Sequence, residues 1–183
     1  MRQLNLAGRT LLSFVTFYLG WWACALGASY GYPWIGPLLV PIWVALHIYF
    51  SPTRLGEFYF CLAIAVVGFL IDTILIRLNI FILSPIADLA PVWLVGMWIL
   101  WGLSFESMLM IRSRFWLMFL MGAVSGPLTY YACESLNILY FSRPLWLSVG
   151  VHSALWGLLI PGLFLLRDFC MRLALLSGRF ARH

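Results

Sequence analysis

Asp72, Tyr130 and His152 come from three different apolar stretches of this 183-residue chain, and they are the side chains best placed to do chemistry in it. An ionisable group inside an apolar helix costs about 2.5 to 3.5 kcal/mol on insertion scales, so each one asks for a reason. With a rise of 1.5 Å per residue, all three lie about 5 to 6 Å to the same side of the midpoints of their helices. An acid, a phenol and an imidazole at one level could bind the polar group of a ligand or pass a proton. They could equally form a buried network that only sets helix register. Asp72 pairs poorly with Arg77 on its own helix, because a spacing of five turns the second side chain by about 140°. Its partner must then come from another helix. Tyr130, Glu134 and Asn137 follow one helical face, as do Ser148, His152 and Trp156. Glu134 and Arg77 both fall about 12 Å toward the outer side and are expected to pair. The expectation is an outward-facing ligand pocket between the third, fifth and sixth helices, built from Asp72, Tyr130, His152, Glu134, Arg77, Asn137 and Trp156. His47 and Glu106, each about 8 Å from the centre on the inner side, form a second candidate, the inner end that a proton path would need.

Other chemistries are excluded by counting. Three widely spaced histidines build neither a di-iron nor an ordinary zinc site, so no metal is expected. There is no paired-aspartate motif for magnesium, no glycine-rich phosphate loop after a strand, and no cofactor is expected. Ser125 and His152 differ by about 7 Å in depth, too far for a protease dyad. No residue is assigned a catalytic role, and the reading leans away from an enzyme. Pro127 after Gly126 leaves the carbonyl of Ala123 without its helical donor, so a kink is expected beside the pocket. Trp21, Trp22, Trp93, Trp98, Trp101 and Trp156 could line an apolar cavity for a lipid or polyene, or serve as core and interface aromatics.

The elements that position these residues are membrane helices. Thr10 to Thr53 contains no formally charged side chain, and further apolar runs cover 58 to 71, 89 to 105, 115 to 133 and 144 to 166. Since a bilayer core needs about 20 apolar residues per helix, the first run is two spans and the total is six. The fold class is all-α, a polytopic membrane protein with spans near 10 to 28, 33 to 50, 58 to 80, 91 to 110, 115 to 137 and 145 to 167. Short connections make three antiparallel hairpins. The inward-running helices open alike, on Pro33-Trp34, Pro91-Val92-Trp93 and Pro144-Leu145-Trp146. That punctuation reads either as three copies of a hairpin at a period of about 55 residues or as interface chemistry alone. The basic residues are all arginines: Arg2, Arg9, Arg54, Arg112, Arg114, Arg167, Arg172, Arg179 and Arg182 on one side, Arg77 and Arg143 on the other. Both termini are therefore expected in the cytoplasm. Residues 1–167 form the transmembrane domain. Residues 168–183 read as a basic amphipathic cytoplasmic tail along the inner surface, or as a frayed end. Charges spread through short loops exclude a nucleic-acid footprint. Cys24, Cys61, Cys133 and Cys170 lack CxxC spacing and read as apolar fillers, a Cys24–Cys133 disulfide being the alternative.

At Gly20-Trp21-Trp22, Gly68-Phe-Leu-Ile-Asp72, Pro91-Val-Trp93 and Gly126-Pro127-Leu-Thr-Tyr130 the chain resembles a family of small bacterial inner-membrane proteins, the domain of unknown function 2878 family. The likeness covers nearly the whole chain but does not extend to Glu106 and Glu134. It implies a multi-pass inner-membrane protein linked to enzymes that modify membrane fatty acids, and it supplies no catalytic residue. The leading expectation is a protein that binds or presents a lipid or lipid-like molecule to such partner enzymes, accessory to fatty-acid modification. The alternatives are a small proton-coupled carrier or substrate-binding subunit, and an intramembrane enzyme acting on acyl chains.

Overall fold

A computed structural model describes residues 5–180, so Arg2 and Arg182 of the expected inner set lie outside the described residues. Six helices follow in order: α1 (Leu6–Ser29), α2 (Ile35–Phe50), α3 (Arg54–Arg77), α4 (Val92–Leu103), α5 (Phe115–Ser135) and α6 (Leu145–Phe180). Three are long and apolar enough to cross a membrane, over Ala7–Ser29, Arg54–Arg77 and Leu145–Ser177, with shorter apolar helices at Ile35–Phe50 and Val92–Glu106. The helices carry their apolar residues on both faces. On α3 the stripe Leu62, Val66, Leu70 and Ile74 is exposed, while Phe60, Ile64, Gly68 and Asp72 face inward. An outer face that is more apolar than the inner one suits a helix solvated by lipid.

Local chemistry decides where the helices stop. Asn5 caps α1 by accepting from the Gly8 amide at 2.8 Å. Both α3 and α5 end in a Schellman arrangement with an asparagine in the left-handed region, Asn79 at φ 51° and Asn137 at φ 58°. In α3 the amides of Asn79 and Ile80 bond the carbonyls of Ile76 and Leu75; in α5 those of Asn137 and Ile138 bond Glu134 and Cys133. Each turn leads into a three-residue strand absent from the sequence expectation. β1 (Phe81–Leu83) and β2 (Leu139–Phe141) pair antiparallel, with Ile82 opposite Tyr140, and tie together the segments that follow α3 and α5.

The fourth helix is shorter than the expected span over 91 to 110. After Leu103 it tightens into 3-10 turns at Ser104–Glu106 and Leu109–Ile111. Ser104 and Ser107 explain the change, since each hydroxyl donates to the carbonyl three residues back, at 2.6 Å, and competes with α-helical pairing. The sixth helix departs in the other direction and runs without interruption through Arg167 to Phe180.

Candidate functional site

Two pairs of residues four apart begin the site. On α3, Gly68 leaves room for the indole of Trp98 from α4, and one turn on, Asp72 Oδ2 accepts from Trp98 Nε1 at 2.6 Å. On α5, Gly126 leaves the same room for Trp156 from α6, and one turn on, the Tyr130 hydroxyl donates to Asp72 Oδ1. A Cβ at either glycine would strike the indole ring, and one at Gly122 would strike the Trp156 carbonyl. Small residues thus let the helices approach closely enough for the polar contacts to form. The two indoles stack on each other, centroids 4.9 Å apart and planes 20° apart. Trp156 Nε1 is buried and has no hydrogen-bond partner among the described residues.

Asp72 is fully buried, and its partners are two neutral donors rather than a cation. His152, also fully buried, lies with its ring centroid 4.2 Å from that of Tyr130. It makes no bond to Asp72. Its Nδ1 lies 2.7 Å from the Ser148 carbonyl, which requires the proton on Nδ1 and leaves Nε2 as an acceptor with no partner among the described residues. Phe81 of β1 and Phe141 of β2 cover the imidazole. Asp72, His152 and Trp156 thus gather around Tyr130, the first two of them at the level that depth gave all three polar groups, and Trp98 is a partner that depth did not suggest. Its signal was available: a glycine one turn before a buried acid marks a seat for a large donor.

The remaining expected members lie elsewhere. Arg77 is exposed at the end of α3 and donates to the Asp88 carbonyl at 3.1 Å, while Glu134 accepts from the Phe141 amide at 3.0 Å. The expected Glu134–Arg77 pair does not form, because each finds a backbone group in its own loop first. Asn137 serves the turn after α5 and accepts from the Tyr140 hydroxyl. On the inner side His47 and Glu106 do not meet. His47 Nε2 lies 2.9 Å from the Thr16 hydroxyl, and Glu106 pairs with Arg9 at 3.0 Å. Two more inner ion pairs, Arg167–Glu57 at 2.5 Å and Arg112–Asp168, were invisible to depth reasoning, since they join residues more than fifty positions apart. Cys24 and Cys133 are both free.

Asp72 itself is fully buried and does not line the main cavity. A cavity of about 430 Å³ lies instead on the other side of Tyr130, between α1, α4 with its 3-10 turns, α5 and α6. Trp98, Tyr130 and Trp156 form its back wall, and Asp72 holds the first two from behind without lining the space. Of the six tryptophans considered, Trp21, Trp98, Trp101 and Trp156 line it; Trp22 is exposed and Trp93 faces a smaller outer pocket. Phe14 and Tyr18 of α1 and Met121 of α5 line the cavity and are also exposed, so it opens sideways between α1 and α5. At the outer end Ser29 of α1 bonds the Leu136 carbonyl at 2.8 Å and closes that gap. Pro127 lies inside α5, which continues through it to Ser135. No group of three or more metal-binding side chains occurs among the described residues.

A family model described as a protein of unknown function, DUF2878, matches residues 10–162. No curated protein and no solved structure matches the chain.

Proposed function

The chain belongs to the DUF2878 family, whose function is unknown, and we propose that it holds a lipid or lipid-like molecule, which its cavity supports, within a bacterial inner membrane and accessory to enzymes that modify membrane fatty acids, as the resemblance implies. In this reading all six helices cross the bilayer, both termini are cytoplasmic, and the segment after Arg167 carries α6 out to the inner surface.

The observation that carries the reading is the cavity. Its volume falls within the range of about 300 to 1,000 Å³ usual for small-molecule sites, its lining is mainly aromatic and aliphatic, and its mouth opens toward the hydrocarbon. A ligand arriving from lipid can enter without crossing a polar surface. The groups turned to the space are indoles and hydroxyls and carry no formal charge, which favours holding an apolar molecule over relaying protons.

A diazirine-bearing fatty acid, photolysed with the purified protein in detergent, tests this directly. Labelled peptides should map to Met97–Ser107 on the α4 side and to Met121–Cys133 on α5. Labelling confined to the outward stripe Leu62, Val66 and Leu70, which any bilayer protein would show, would remove the proposal. Acyl-chain analysis of a deletion strain tests the accessory role: an altered fatty-acid composition supports it and an unchanged one argues against it.

A further inference from the structure

The two halves of the site repeat at a single offset. Gly68 and Gly126, Asp72 and Tyr130, and Trp98 and Trp156 are each 58 residues apart. So are the left-handed Asn79 and Asn137, the amide bonds that close α3 and α5, and the strands β1 and β2. Nine of the 23 residues from Leu62 to Ser84 are identical 58 positions on, among them Leu78-Asn79-Ile80 and Leu136-Asn137-Ile138. The strand register is self-complementary: Phe81 pairs with Phe141, Ile82 with Tyr140 and Leu83 with Leu139, which is a two-fold axis through the middle pair. Equivalent tryptophans stack across that axis, and the equivalent residues Asp72 and Tyr130 bond across it. Hairpins α3–α4 and α5–α6 therefore form a fused, two-fold related pair.

A two-fold pair should have two equivalent seams, α3 against α6 and α5 against α4. The first is packed shut; at the second the cavity holds the helices apart. The residues have diverged accordingly. At the positions 58 residues before Ser125 and Thr129 α3 carries Val67 and Ile71, and 58 residues after Trp101 α6 carries Leu159, all partly buried against the core. Their equivalents on the open seam are Ser125, Thr129 and Trp101, all lining the cavity. Where α3 has two aliphatic side chains, α5 thus has two hydroxyls on a mainly apolar lining, Ser125 exposed and Thr129 half-buried. Thr129 donates to the Ser125 carbonyl at 2.9 Å and keeps its lone pairs free, while the Ser125 hydroxyl makes no side-chain bond among the described residues. One donor and one acceptor, a turn apart, face the cavity.

We infer that this opened seam selects a lipid whose chain bears an oxygen group within the bilayer, with Ser125 and Thr129 as the residues that recognise that oxygen. The inference rests on the lipid-holding reading above. A hydroxyl midway along an acyl chain would find in Ser125 and Thr129 the partners that hydrocarbon denies it, whereas a plain chain would leave the Ser125 hydroxyl without one.

Native mass spectrometry of the protein in detergent, with stearic acid and 10-hydroxystearic acid as competing probes, tests this. The hydroxylated probe should form the one-to-one complex with an affinity about fivefold to tenfold higher, the worth of one net hydrogen bond. Restoring the closed-seam residue types with Ser125→Val and Thr129→Ile should bring that ratio to one, while Ser125→Thr, which keeps a hydroxyl, should preserve it. Equal binding of the two probes by the native chain would overturn the oxygen preference and leave the lipid-holding reading standing. Failure of both probes to bind one-to-one would overturn both readings.

Discussion

At the scale of single residues, the arrangement around Asp72 is a carboxyl satisfied by two neutral donors in a space that excludes water. Removing the acceptor should then cost more than neutralising it. Asp72→Asn keeps one oxygen for Trp98, and the Tyr130 hydroxyl can rotate to accept from the new amide. Asp72→Ala strands two buried donors, at about 1 to 3 kcal/mol each. We expect the alanine variant to melt in detergent well below the asparagine variant, and the two to behave alike only if Asp72 is not the hub of this contact. Tyr130→Phe should fall between them, since it removes one donor and leaves the bond from Trp98 in place. This cluster was partly legible from depth alone. Three polar groups in three apolar runs at one height had few other places to go. The hydrogen bond from Trp98 escaped because an indole reads as an interface or core residue until a neighbour is known to need its N–H. Arg77 and Glu134 were misplaced for a related reason: depth says which groups are level and nothing about the loop carbonyls and amides that lie closer.

At the scale of helices, the seams depend on glycines that accept an aromatic ring, and a Cβ there has no free volume. Gly68→Ala should press on the Trp98 indole and Gly126→Ala on that of Trp156, with the 1 to 3 kcal/mol cost, about, that overpacking usually carries. Gly150 in α6 has nothing within 4 Å of the position its Cβ would take. Gly150→Ala should therefore be neutral or stabilising by up to about 1 kcal/mol from helix propensity. Thermal melting of the three variants separates a packing effect from a general intolerance of substitution, and equal losses at all three would refute the seam argument. Helix number and order were readable from the apolar runs, because hydrocarbon leaves the backbone few alternatives. The early end of α4 was not, since Ser104 and Ser107 become helix breakers only when their hydroxyls turn back on the main chain. The two short strands were hidden too: their alternation is three residues long, and they pair between loops 58 positions apart.

At the scale of the whole molecule, the end at which α3 and α5 begin is laced by charges and the opposite end by backbone. Arg167–Glu57 is the most buried of the ion pairs, each side chain 10% exposed, and it ties the start of α3 to the far part of α6. Breaking such a pair leaves a buried charge, so Glu57→Gln should destabilise by about 3 to 5 kcal/mol, a loss that Glu57→Asp should only partly reproduce. The same end gathers most of the arginines, and on the proposed topology it faces the cytoplasm. That orientation can be checked with two cysteines. Ile86, in the loop between α3 and α4, is 85% exposed, and Met110, in the turns after α4, is 88% exposed. The four native cysteines are buried and should react little. In intact cells stripped of their outer barrier, a membrane-impermeant maleimide should label Ile86→Cys at once and Met110→Cys only after permeabilisation. The opposite order would invert the molecule. Labelling of both from one side would mean that α4 does not cross, and with it would go the sideways entrance from lipid on which the cavity's proposed role depends.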